Sequence, residues 1–73
     1  MKNEIRLNAA VIGLGVGERH ISGYEADLRC KVTALCDIDE NKLHEVSQRN
    51  PGLRLSTNPN EILEDPTIDV VSI

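Results

Sequence analysis

Three glycines at alternate positions, Gly13, Gly15 and Gly17, separate two segments of different hydrophobic period. Before them, Leu7-Asn8-Ala9-Ala10-Val11-Ile12 is a short apolar run ending at glycine, the pattern of a strand buried in a parallel sheet. After them, from Gly15 to about Leu28, Ile21, Tyr24 and Leu28 recur at helical spacing while Glu18, Arg19, Glu25 and Asp27 take other positions. A chain that passes from strand to helix through so many glycines turns tightly and leaves free amides at the corner.

Downstream the two periods alternate. Lys31 to Cys36 is apolar and partly β-branched, which predicts a second strand. Asp39 is placed to cap a helix, Glu40 adds favourable charge at the same end, and Leu43 and Val46 form its inward face. Asn50-Pro51-Gly52 stops that helix, and Leu53-Arg54-Leu55 reads as a brief strand. Asn58 and Pro59 mark a third helix start, with Glu61 at the far side of a capping box and Ile62 and Leu63 facing inward. Asp65-Pro66 ends it, and Ile68 to Ile73 is a fourth strand. The βαβαβαβ order implies an α/β fold with a parallel sheet and right-handed crossovers.

Composition excludes several functions. The formal charge is −4 and the eight basic residues are scattered, so nothing gathers nucleic-acid phosphates. Glu4, Arg6 and the glycines interrupt the apolar start, which rules out a signal peptide, and no run is long enough to span a membrane. The setting read from this is cytoplasmic. Cys30 and Cys36 have no C-x-x-C spacing and no partner histidines, so no metal or redox motif is read, and both are expected to be buried thiols in a reducing compartment.

Gly13-Leu14-Gly15-Val16-Gly17 gains meaning from the second strand, which ends in Asp37, 24 residues after Gly13. A glycine turn between strand and helix, with an acid roughly 20 residues on, is the fingerprint of a Rossmann dinucleotide site. The turn (Gly13, Leu14, Gly15, Val16, Gly17) would hold a pyrophosphate on backbone amides at the positive end of the helix. Asp37 would accept from the adenosine ribose, Ile38 would flank the adenine, and the Asp37 charge favours NAD over NADP. Read in isolation, Asp37 is an ordinary turn residue; the glycine turn and the spacing together assign the ribose role. The third glycine comes one position early, as G-x-G-x-G, a form also found in S-adenosylmethionine-dependent methyltransferases. Those carry an acid two residues before the first glycine, where this chain has Val11. His20 is read as a packing or surface residue, His44 as solvated or at the boundary, and Tyr24 as packing.

Ala10-Val11-Ile12-Gly13-Leu14-Gly15, Gly17-x-x-His20 and Val32-Thr33-Ala34-Leu35-Cys36-Asp37, then Asn58 to Leu63 and Asp65-Pro66-Thr67-Ile68-Asp69-Val70-Val71, resemble one family throughout. It is the N-terminal domain of the glucose–fructose oxidoreductase / inositol dehydrogenase (Gfo/Idh/MocA-type) family. The resemblance implies an NAD(P)-dependent oxidoreductase that moves a hydride between nicotinamide and a sugar, cyclitol or sugar nucleotide. It also puts the family's E-K-P lysine and the downstream acid/base residues beyond Ile73, so no catalytic residue is named here. The parent protein is expected to be a homo-oligomer. A non-catalytic NAD-sensing module is the alternative, with a methyltransferase fragment behind it. The chain stops on Ile73 within a strand, so a partial Rossmann fold truncated after its fourth strand is expected. Residues 1–73 would be part of a longer protein, inactive by themselves and poorly stable because that strand's outer edge is open.

Overall fold

The alternating periods resolve into seven elements in the computed structural model, which describes residues 6–27 and 29–73. They are β1 (Leu7–Ile12), α1 (Leu14–Ala26), β2 (Cys30–Cys36), α2 (Glu40–Arg49), β3 (Arg54–Ser56), α3 (Pro59–Leu63) and β4 (Val70–Ser72). All four strands run parallel, in the order β3-β2-β1-β4. This is the α/β arrangement expected. Helix α1 starts one residue earlier than its periodicity suggests and ends at Ala26; Leu28, assigned to its inward face, lies outside the described residues. Strand β3 is shifted one residue later than expected. β4 keeps only Val70–Ser72 of the expected Ile68–Ile73, because Asp69 and the turn before it are tied to the start of β1 instead.

Burial follows two faces. On one, α1 and α2 cover the sheet through Val11, Leu14, Ile21, Val32, Leu35, Leu43 and Val46, with Tyr24 and Leu53 packed at the margin. On the other, Ile62 of α3 meets Ala10, Ala34 and Cys36, flanked by Ile12, Ile68 and Val71. Side chains on a strand alternate faces, yet Val32 and Leu35 are an odd number apart and share one. The pairing explains this: Ala9 lies opposite Val32 and Ala10 opposite Ala34, so Thr33 is an extra residue that resets the alternation.

The local signals act largely as expected. Asp39 accepts from the amides of Asn41 and Lys42, and Gly52 takes the left-handed φ of +84° that lets the chain reverse after α2. Asn58 accepts from the Asn60 amide. Glu61 does not reach back to the Asn58 amide; the buried Ser56 hydroxyl stands between them, accepting from Asn58 N–H at 3.0 Å and donating to Glu61 Oε1 at 2.7 Å. Two residues depart from the expected burial. Leu63 is 55% exposed, because α3 is one short turn and only Ile62 points at the sheet. Cys30 is half-buried, since it opens β2 at the sheet margin, whereas Cys36 is fully buried.

The D-P-x-I-D segment is a built turn. Asp65 Oδ1 accepts from the Thr67 amide (2.8 Å) and hydroxyl (2.6 Å), and Arg54 of β3 pairs with its other oxygen. Asn8 and Asp69 then clamp β1 to the approach of β4: the Asn8 amide donates to Asp69 Oδ2 and the Asp69 amide to the Asn8 carbonyl, both at 2.8 Å.

Candidate dinucleotide-binding site

From β1 the sheet grows outward through β2 to β3, and the chain then returns past β1 to add β4 on the other side. The carboxyl ends of β1 and β4 therefore flank a point where the winding direction reverses, and open α/β sheets bind ligands in the crevice outside such a point. The glycine turn lies there, directly after Ile12.

Gly13 adopts φ +84° and ψ 79°, a left-handed conformation that side chains disfavour, and its amide donates to the Cys36 carbonyl at 2.9 Å. Its own carbonyl accepts from Gly17 N–H at 2.9 Å, closing the first turn of α1. At Gly17 an added Cβ would stand 3.0 Å from Val11 Cγ1 and 3.6 Å from the Ile12 carbonyl oxygen, so glycine here lets α1 lie close on β1. The early third glycine thus still does the packing work of that position. Gly15 has neither constraint: nothing stands within 4 Å of a Cβ built there. The bare backbone at the mouth of the turn leaves room that would fit a pyrophosphate.

The donors are in place. Helix α1 has no side-chain cap and no acid in its first turn. The amide of Gly15 finds no acceptor among the described residues. The Leu14 amide is engaged by Asp37, and its side chain is buried in the core. Glu18, the first acid of α1, is drawn aside by Arg49 of α2, whose Nη2 and Nε lie 2.6 and 2.9 Å from one carboxylate oxygen. That pairing offsets the Glu18 charge near the positive end of the helix.

Asp37 follows β2 at the same crevice. Its Oδ2 accepts from the Leu14 amide (2.9 Å), its Oδ1 from the Asp39 amide (2.8 Å), and its own amide donates to the Ser56 carbonyl (3.2 Å). Next to it Ile38 is 81% exposed, an apolar side chain held in solvent at the tip of the strand. Beneath, burial pushes the Cys36 thiol above its ordinary pKa, with the charges of Asp37 and Glu61 adding to the effect, so this sulfur stays protonated.

His20 is exposed and its Nδ1 lies 3.0 Å from Ser72 Oγ, joining α1 to β4 beside the switch point. Sequence reasoning left Ser72 unremarked, and nothing local signals a contact between residues 52 positions apart. His44 is exposed on α2 and pairs with Gln48. A groove lined by Arg19, His20, Gly23, Tyr24, Asp27 and Cys30 includes neither Asp37 nor any glycine of the turn.

Residues 7–73 match the family model described as GFO_IDH_MocA, an oxidoreductase family with an NAD-binding Rossmann fold. The chain belongs to this family. Among solved structures, this family member is similar to GenD2 from gentamicin A biosynthesis, crystallised with NAD, at 32% identity and a TM-score of 0.79 over 99% of this chain and 22% of that one. It is likewise similar to myo-inositol 2-dehydrogenase from Lactobacillus plantarum (33% identity, TM-score 0.73, 90% of this chain and 20% of that one). A third is myo-inositol dehydrogenase from Lactobacillus casei, in complex with NAD(H) and myo-inositol (26% identity, TM-score 0.77, 94% of this chain and 22% of that one). The oxidoreductase-family chain spans about a fifth of the length of these solved chains. No curated protein sequence matches it significantly.

Proposed function

We propose that residues 1–73 are the N-terminal part of the NAD(H)-binding domain of an oxidoreductase acting on a hydroxyl or carbonyl of a sugar, cyclitol or sugar nucleotide. The observation that carries the reading is the convergence, at one switch-point crevice, of the free Gly15 amide with the Asp37 carboxylate. In this reading the turn from Gly13 to Gly17 holds the pyrophosphate, with the donors already aimed and no first-turn acid to repel it. Asp37 accepts from the adenosine ribose and Ile38 covers one side of the adenine. When bound, nicotinamide supplies the hydride chemistry.

A carboxylate at the ribose repels an added 2′-phosphate, and the adjoining Ile38 and Asp39 offer no cation to offset it, which supports NAD over NADP. The substrate class is supported by the inositol dehydrogenases among the similar structures. The shared length, about a fifth of each neighbour, supports a separate substrate domain that carries the acid/base residues. The two free thiols fit a reducing, cytoplasmic compartment.

The test is calorimetric titration of NAD, NADP and S-adenosylmethionine into the full-length protein, followed by NAD reduction assays with sugars, cyclitols and sugar nucleotides. NAD should bind more tightly than NADP, and at least one polyol should reduce it. Binding of S-adenosylmethionine alone would sink the oxidoreductase reading, and NAD binding without turnover on any alcohol would favour a sensing module.

A further inference from the structure

Helix α1 begins on a residue with no side chain, so Gly13 cannot cap it in the way Asp39 caps α2 or Asn58 caps α3. The cap comes from another strand. Asp37 Oδ2 accepts from the Leu14 amide, at the first helical position, across 23 residues of sequence. We propose that Asp37 is a positioning residue for the glycine turn, holding the first turn of α1 in its phosphate-binding conformation before cofactor arrives, in addition to its role at the ribose. This inference rests on the NAD site proposed above.

The two roles are compatible. An ionised carboxylate has about four acceptor positions. The Leu14 and Asp39 amides take one on each oxygen, which leaves one on each for the ribose diol. The bond to Leu14 is charge-assisted and sits at the positive end of the helix, where a carboxylate is favoured. Its charge also opposes the pyrophosphate, so the experiment weighs that relief against the order lost when the carboxylate is removed. Asp37 further ties down its own loop through Asp39 N–H, so one side chain sets the spacing between the tip of β2 and the turn.

The decisive experiment titrates NAD and an analogue lacking both hydroxyls of the adenosine ribose into the full-length protein and its Asp37→Ala and Asp37→Asn variants. Hydrogen exchange at the Leu14 amide is followed in parallel without cofactor. The analogue removes the ribose contact, so any remaining effect of substitution acts through the turn. We expect it to bind Asp37→Ala about tenfold more weakly than wild type. Asp37→Asn, which keeps the shape and one acceptor oxygen, should recover part of that loss and guards against a variant that merely fails to fold. Leu14 exchange should quicken in Asp37→Ala. Equal binding of the analogue by all three proteins, with NAD alone weakened, would confine Asp37 to the ribose and overturn the proposal. Binding of neither compound by wild type would instead overturn the reading of the site itself, and this inference with it.

Discussion

At Gly17 an added Cβ would meet Cγ1 of the fully buried Val11 at 3.0 Å, so one of the two must shift. Gly17→Ala should therefore cost about 1–3 kcal/mol in chemical denaturation. Gly13→Ala should cost roughly 1–2 kcal/mol for a different reason, its left-handed φ. Gly15→Ala has neither penalty and gains helix propensity, so its melting temperature should hold or rise while NAD affinity falls, because the methyl blocks the approach to the turn. If Gly15→Ala instead bound NAD as wild type does, the pyrophosphate would lie elsewhere. The cysteines divide in the same manner: Cys30 is half-buried, whereas Cys36 is buried with its thiol held protonated. Iodoacetamide on the native protein should label Cys30 first, and mass spectrometry of the peptides reads this directly.

Among the elements, α2 was the most legible, because its signals are local. The Asp39 cap, the acidic first turn, the Leu43 and Val46 face and the Gly52 reversal all act within a few residues of where they stand. Asp39→Ala should lower stability by about 1 kcal/mol in a denaturant melt. Helix α3 was read correctly at its start and incorrectly in its detail. Its expected box between Glu61 and the Asn58 amide is bridged by Ser56, the last residue of β3, whose hydroxyl takes the Asn58 amide in a local turn two residues long. Ser56→Ala leaves the Asn58 amide without its acceptor and Glu61 without its donor in a part-buried position, and should cost about 1–3 kcal/mol, more than Asp39→Ala. The turn before β4 is sensitive to acid. Hydrogen bonds from Thr67, then the Arg54 charge, hold the Asp65 carboxyl below its ordinary value of 3.8. A depressed carboxylate contributes stability above its unfolded pKa and loses it as pH falls through the folded one. Melting temperature should therefore drop as pH goes below 3.8, and Asp65→Asn should flatten that acid limb; a limb of unchanged slope would mean that other carboxylates carry it.

At the scale of the whole molecule, the strand order β3-β2-β1-β4 makes the crevice of the proposed site, because it reverses winding at β1 and places β4 beside the turn. The amino-acid sequence by itself determined the element order, the turn and its acid, and the helix caps, since each depends on torsional preference, hydrophobic period or a hydrogen bond reaching two or three residues. It also carried the family, whose model covers residues 7–73. The extra residue at Thr33 was not legible, because a bulge exists only relative to the strand beside it. The same holds for Leu63, left exposed once Ile62 had taken the short helix's one inward position, and for Ser72 meeting His20. Asp37 shows the division most clearly. Its residue type and spacing marked it as a ribose acceptor, but only the parallel pairing of β1 with β2 brings its carboxylate within 2.9 Å of the Leu14 amide. Local torsions and short-range bonds can be read along a chain, whereas contacts between distant residues depend on the register in which the strands pair.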